Sequence, residues 1–208
     1  MTTKPTLLAT LLLGGALLAS AVASAPAAAA DDGARLFAEK EIAPWLKDPA
    51  LIDGIKEQNR RNAALTQAEI EALDKRWTAE LGQKDQPTIK AVATSSVSKL
   101  VMTKLEQAKG LYTEIIVMDA KGLNVGMTSA TSDYWQGDEA KWKETFAKGP
   151  GAVHADAPRR DESTLMAQRQ ISLTVVDPAD GKPIGAVTVA VDADKLELGS
   201  GLTATVAR

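Results

Sequence analysis

The chain has 208 residues, of which 45% are hydrophobic and 25% charged, with a formal net charge of −3 and no cysteine. These are the proportions of a globular domain with a full hydrophobic core. The mild acidity gives no electrostatic reason to bind nucleic acid or anionic lipid. The lack of cysteine excludes disulfides, thiolate catalysis and cysteine zinc sites.

Residues 1–30 are predicted to be a secretory signal peptide, because a lysine precedes the apolar residues 7–22 and an alanine-rich run follows them. Cleavage is expected after Ala30, since a cut at Ala25 would leave Pro26 directly after it. An uncleaved anchor is the alternative, because the apolar run approaches the roughly 20 residues that span a bilayer. Export of a protein without cysteine favours the bacterial periplasm.

The pattern of residues 31–86 predicts an N-terminal helical stalk. Asp48 and Pro49 are typical of a helix start, and Thr66 and Glu69 form a capping box that begins a second helix. The apolar positions of that second helix share one face: Ile70, Leu73, Trp77 and Leu81. A third helix is expected from about Ser96 to Ala108, beyond a domain boundary placed before Pro87.

After Gly110 the sequence pattern becomes that of β-strands. Two hairpins are predicted, one from residues 112–118 and 123–127 and the other from residues 165–176 and 184–191. Turn residues separate the two strands of each hairpin. We expect one antiparallel sheet in which the strands that begin at Tyr112 and Ile184 are neighbours.

Residues 132–146, SDYWQGDEAKWKETF, connect the two hairpins and are called the aromatic segment below, since they hold four of the eight aromatic residues. Trp142 and Phe146 are four residues apart, on one side of a predicted short helix, and are expected to anchor the segment to the sheet. Tyr134 and Trp135 precede that helix in an irregular turn. Aromatic residues with polar tips in such a loop are typical of a small-molecule pocket.

The stretches YTEIIVMDAKGLNVGMTS, SDYWQGDEAKW and QISLTVVDPADGKPIGAVTVAVD resemble those of the Cache family of PAS-like periplasmic sensor domains. The similarity covers about residues 87–195, and residues 87–208 are assigned to the sensor domain. The resemblance implies an α+β fold, with a PAS-like five-stranded antiparallel sheet behind a long helical stalk. It also implies short lid helices over a small-ligand pocket on the sheet face opposite the other helices.

The resemblance has consequences for partners as well. In the commonest arrangement of the family, a second transmembrane helix leads to a kinase, cyclase or chemotaxis output, whereas this sequence stops at Arg208. A free-standing, single-Cache sensory domain is therefore expected, acting with a separate membrane-bound signalling partner. Pairing of the stalk helices in a homodimer is a further possibility.

Five more residues are candidates for ligand contact beside Tyr134 and Trp135. Arg169 shares a strand face with apolar residues, where it would need a ligand carboxylate or a local acid such as Asp161 or Glu162. If the other face lines the pocket, Gln168 and Gln170 become the contacts. Asp119 and Asn124 flank the first hairpin turn, where such residues bond their own backbone or, at a pocket mouth, a ligand amine.

Catalytic and metal signatures are weak. His154 lies near Asp156, but no serine occupies a GxSxG motif, HExxH is absent, and the acids of the second turn lack the spacing of a calcium loop. We expect no enzyme activity, no cofactor and no metal. The predicted function is capture of a small carboxylate or amino-acid-like solute under Tyr134 and Trp135. The alternative is an adaptor of the cell envelope that acts through its helices without a ligand.

Overall fold

The computed structural model describes residues 32–160 and 167–196. The predicted signal peptide and its cleavage site lie outside these residues, as do Asp161 and Glu162. Within the described part, no helix is both long enough and apolar enough to cross a membrane.

Helices occupy the first half of the described chain. A short helix α1 continues into one π-helical and one 3₁₀ turn, and four longer helices follow. Their bounds are α1 Asp32–Phe37, α2 Pro49–Asn62, α3 Gln67–Glu80, α4 Pro87–Ala93 and α5 Ser96–Gln107. A one-turn helix, α6 Ala140–Lys143, lies in the aromatic segment.

The helix starts follow from the predicted caps. The side chain of Asp48 accepts a hydrogen bond from the backbone N–H of Ala50 at 2.9 Å and begins α2. At the start of α3, Thr66 and Glu69 form both halves of the capping box. Helix α4 was not predicted, and α1 was not predicted either.

The strands form one antiparallel sheet, whose main path runs in the order β2-β1-β6-β5-β3, with the two-residue strand β4 also paired to β5. The bounds are β1 Tyr112–Asp119, β2 Asn124–Met127, β3 Val153–Ala155, β4 Arg159–Arg160, β5 Ala167–Val176 and β6 Pro183–Asp192. Both predicted hairpins are present, and β1 and β6 are antiparallel neighbours. The predicted α+β fold with a single antiparallel sheet is confirmed, with six described strands instead of five.

The main core lies between the sheet and the N-terminal helices. It takes alternate residues from the central strands, such as Ile115, Ile171 and Val189, and packs them against Leu51 and Ile55 of α2. Each of these five side chains is essentially inaccessible to solvent. The helices expected to form a stalk therefore lie on the sheet, and one core runs across the boundary predicted before Pro87.

The opposite face of the sheet carries the aromatic segment. Trp142 and Phe146 stack with ring centroids 5.0 Å apart and pack on Ile116, Met118 and Ala186. This is the anchoring contact expected from their spacing. Both aromatic side chains stay partly exposed, so this smaller cluster covers the sheet less completely than the helices do.

Candidate functional site

A cavity of about 390 Å³ lies between α6 and the polar face of β5, and is called the lid cavity below. Its wall contains the neutral amides of Gln168 and Gln170 from β5. Five described charged residues also line it: Glu139, Lys141, Asp156, Arg159 and Arg160. Three of these side chains are basic and two are acidic, so these five residues have a net charge of +1.

The strand pairing explains why these residues converge. Side chains alternate between the two faces of a strand, and Ile171, Leu173 and Val175 of β5 face the helices. The even-numbered residues, including Gln168 and Gln170, therefore face the aromatic segment. Strand β4 pairs with β5 so that Arg159 stands opposite Gln168, which brings the arginine to the same cavity.

Lys141 belongs to the inner wall of the lid cavity, with its side chain only 11% exposed. Its Nζ lies 3.1 Å from Glu139 Oε2 and donates a hydrogen bond of 3.0 Å to Gln136 Oε1. Gln136 is itself buried and donates to the Asp133 carboxylate. The ammonium group is therefore fixed in place by neighbours on the aromatic segment.

Arg169 occupies the opposite face of β5 from Gln168 and Gln170. Its Nε donates a hydrogen bond of 2.9 Å to the backbone carbonyl of Asp156. Asp156 also lies 3.0 Å from His154 through its carboxylate. Of the residues named as candidate ligand contacts, Gln168 and Gln170 line the lid cavity.

Tyr134 and Trp135 pack against helix α3. The Tyr134 ring stacks on Trp77, with centroids 5.1 Å apart and planes 10° from parallel. The backbone N–H groups of Tyr134 and Trp135 both donate to Asp74 Oδ1, at 2.8 and 2.9 Å. Trp135 Nε1 donates to the carbonyl of Lys121 at 2.8 Å. Neither residue lines the lid cavity, but Tyr134 lines a second cavity on the helical side.

Asp119 and Asn124 are buried beside the first hairpin turn. Asp119 Oδ1 accepts from the backbone N–H groups of Lys121 and Leu123, at 2.8 and 3.0 Å. Asn124 Nδ2 donates to Thr131 Oγ1 at 2.8 Å, which holds the start of the connection that leads to the aromatic segment. The Asp119 carboxylate therefore holds the hairpin turn, and the Asn124 amide holds the connection that follows the hairpin.

Burial has a clear electrostatic effect at Tyr134. Loss of solvent around the phenol and, to a smaller extent, the nearby charge of Asp119 raise the pKa of Tyr134 to about 12, although Arg61 opposes the change. The hydroxyl is therefore protonated at all physiological pH values. It can donate a hydrogen bond but carries no charge.

The charged lining of the lid cavity was missed from the sequence. Lys141, Arg159 and Arg160 were not among the residues expected to contact a ligand. The available signal was the pair of basic residues just before the β5 strand pattern. Among the described residues, no cluster of His, Cys, Asp and Glu could hold a metal ion.

Comparison with known proteins gives a match in structure but not in sequence. No protein-family model matches the chain, and no curated protein matches it. The E. coli DcuS sensor domain is 14% identical with a TM-score of 0.46, and the alignment covers 81% of this chain and 97% of that domain. The solved structures to which the chain is similar are sensor or ligand-binding domains.

Two further structures in this group are longer than the present chain. The sensor domain of the V. cholerae histidine kinase DctB is 13% identical with a TM-score of 0.38, and the alignment covers 72% of this chain and 59% of that one. The ligand-binding domain of the P. aeruginosa amino acid chemoreceptor PctC, in complex with GABA, is 16% identical with a TM-score of 0.37. That alignment covers 74% of this chain and 62% of the PctC domain.

Proposed function

We propose that this protein is an exported sensory domain that binds a small organic anion in the lid cavity. The observation that supports this most strongly is the convergence of Lys141, Arg159 and Arg160 on a cavity of about 390 Å³. Ligand sites for small molecules have volumes of roughly 300–1,000 Å³ and a few convergent polar groups. A cavity of this size favours ligand binding over the adaptor alternative, which expects a filled interior.

The charged residues that line the lid cavity indicate which class of ligand it binds. A carboxylate can accept hydrogen bonds from a guanidinium in a planar, two-point arrangement, and such charge-assisted bonds are stronger than neutral ones. Glu139 and Asp156 line the same cavity and can hold an ammonium group. The ligand we propose therefore carries at least one carboxylate, and an amino acid satisfies both charges.

A ligand screen on the purified protein tests this proposal. Carboxylates and amino acids are added one at a time and the midpoint of thermal unfolding is measured, since a ligand at 100 times its dissociation constant stabilises by about 2.7 kcal/mol. Arg159→Gln removes the charge while keeping a polar side chain, and we expect it to weaken binding of the best ligand by about tenfold or more.

Arg60→Gln is the matched control, because Arg60 is exposed on α2, on the other side of the sheet. It should leave the affinity unchanged. Stabilisation by none of the screened anions, or equal affinity in the Arg159→Gln and Arg60→Gln variants, would contradict the proposed site.

We also propose that the domain works in the bacterial periplasm after removal of residues 1–30. The basis is the sequence pattern of the leader, together with the lack of any membrane-spanning helix in residues 32–160 and 167–196. Mass spectrometry of the native protein should find Asp31 at the amino terminus. Recovery of the protein from the membrane fraction with Met1 retained would show that the leader is kept as an anchor.

A further inference from the structure

A second cavity, of about 270 Å³, lies on the helical side of the sheet between α2, α4 and α5, and is called the helical cavity below. Part of its wall is apolar and consists of Val92, Val97 and Val125. The sheet separates it from the lid cavity, and the two cavities share no lining residue in the part of the chain that the structure describes. What the helical cavity binds is therefore a separate question from the proposal above.

The amino terminus of α5 forms one wall of the helical cavity, through Ser95, Ser96 and Val97. Ser95 is the N-cap, and its Oγ accepts from the backbone N–H of Ser98 at 3.0 Å. The N–H groups of Ser96 and Val97 find no acceptor among the described residues. The first N–H groups of a helix have no partner within it, and together with the helix dipole they favour an anion.

The hydroxyl of Tyr134 is an independent second observation. Tyr134 is only 9% exposed and lines the same cavity, yet its hydroxyl makes no hydrogen bond within residues 32–160 and 167–196. Arg61 of α2 lines the same cavity. Although most of the Tyr134 side chain is buried, its hydroxyl has no partner in the described part of the chain, so a molecule in the cavity can complete its hydrogen bonding.

We propose that the helical cavity binds a small monocarboxylate. Its oxygens accept hydrogen bonds from the N–H groups of Ser96 and Val97 and from the Tyr134 hydroxyl, and its short hydrocarbon chain contacts the valines. Glu57 is the acidic residue on this wall, but it already pairs with Arg61 at 2.5 Å, and both side chains are more than half exposed. The ion pair therefore adds no net charge at the mouth of the helical cavity. The two N–H groups and the Tyr134 hydroxyl then determine which ligand binds.

The test uses sodium butyrate as the probe and butyramide as its uncharged counterpart of nearly equal shape. Backbone amide chemical shifts of Ser96 and Val97 are followed by NMR on the purified protein. Butyrate should move both resonances in a saturable way, whereas butyramide should move neither. Equal responses to the two probes, or no response to butyrate, would overturn the proposal.

Two variants examine the donors without disturbing the fold. Tyr134→Phe keeps the ring that stacks on Trp77 and removes only the hydroxyl, so butyrate affinity should fall about tenfold. Ser96→Pro removes one N–H at the first helical position, where proline is favoured, and Ser95 already has the extended backbone that precedes proline (φ −61°, ψ 159°). This variant should also weaken butyrate binding.

Tyr112→Phe is the matched control, since the Tyr112 hydroxyl donates to the carbonyl of Glu41, away from the helical cavity. It should bind butyrate like the unmodified protein, and so should Arg159→Gln from the lid cavity. Loss of butyrate binding in Arg159→Gln would assign the response to the lid cavity and overturn the proposal. Unchanged binding in Tyr134→Phe would overturn it equally, whatever the lid cavity binds.

Discussion

At the residue scale, Asp119 connects the first hairpin to helix α2. One carboxylate oxygen holds the turn through two backbone N–H groups, and the other accepts from Gln58 Nε2 at 3.1 Å and Asn62 Nδ2 at 2.7 Å. Asp119 and the Gln58 side chain are both buried. A single side chain thus satisfies donors from the strand turn and from a helix far away in the sequence.

Replacing Asp119 with alanine should destabilise the protein strongly, because several buried donors lose their acceptor at once. We expect a loss of about 2–4 kcal/mol in the free energy of unfolding, measured by urea denaturation. Asp180→Ala in the exposed second turn is the comparison, and it should have little effect. If the two variants unfold at the same urea concentration, the Asp119 network does not contribute to stability as the structure indicates.

At the scale of elements, helix α4 depends on a cap from another helix. Glu80, at the end of α3, accepts hydrogen bonds from the N–H groups of Thr88 and Ile89 at 2.8 and 3.0 Å. The seven residues of α4 contain no acid in the first turn, and Gln86 makes no side-chain cap. A helix stabilised by a residue outside its own sequence leaves no local capping pattern, which explains why α4 was missed.

The contact between Glu80 and α4 leads us to predict a pH-dependent stability. Burial by itself raises the pKa of Glu80, but hydrogen bonds from Thr88 and Ile89 outweigh it and hold the pKa below its ordinary value of 4.5. A lowered pKa in the folded state gives stability that is present above pH 4.5 and is lost as the pH falls through the folded-state pKa. Glu80→Gln should therefore be less stable than the unmodified protein near neutral pH.

Urea denaturation near neutral pH and at about pH 3 checks this expectation. The difference between the two proteins should shrink in acid, since the unmodified protein then loses the ionised cap as well. Glu71→Gln, on the exposed surface of the same helix, should show no such change. An equal difference in the free energy of unfolding between the two proteins at both pH values would rule out the ionised cap as the source of that difference.

At the scale of the whole molecule, local signals predicted most of the architecture. The caps at Asp48 and Thr66, the strand periodicity and the turn residues fixed two helices and both hairpins, and these defined the sheet. Such signals depend on residues a few positions apart. The two cavities depend on residues brought together by tertiary contacts.

The aromatic segment shows that local sequence patterns do not predict contacts between distant parts of the chain. Its spacing separated Trp142 and Phe146, which pack on the sheet face opposite the N-terminal helices, from Tyr134 and Trp135, which pack against α3 and the β2 edge of the sheet. No local pattern could indicate that Asp74 and Trp77 would hold Tyr134 on the helical side. For the same reason the pairing of β4 with β5, which brings Arg159 to the lid cavity, was not predictable from the two arginines alone.

Strand β2 is an edge strand of the sheet, and its outer backbone groups are bonded by the aromatic segment and by the start of α5. Along that outer edge, the N–H of Asn124 donates to the Tyr134 carbonyl, the carbonyl of Val125 accepts from Ser95 Oγ, and the N–H of Met127 donates to Ser98 Oγ. An exposed edge strand offers such groups to strands of other molecules, which is a route to aggregation. Here they are already used within the chain, so β2 is closed to strand addition by a second copy.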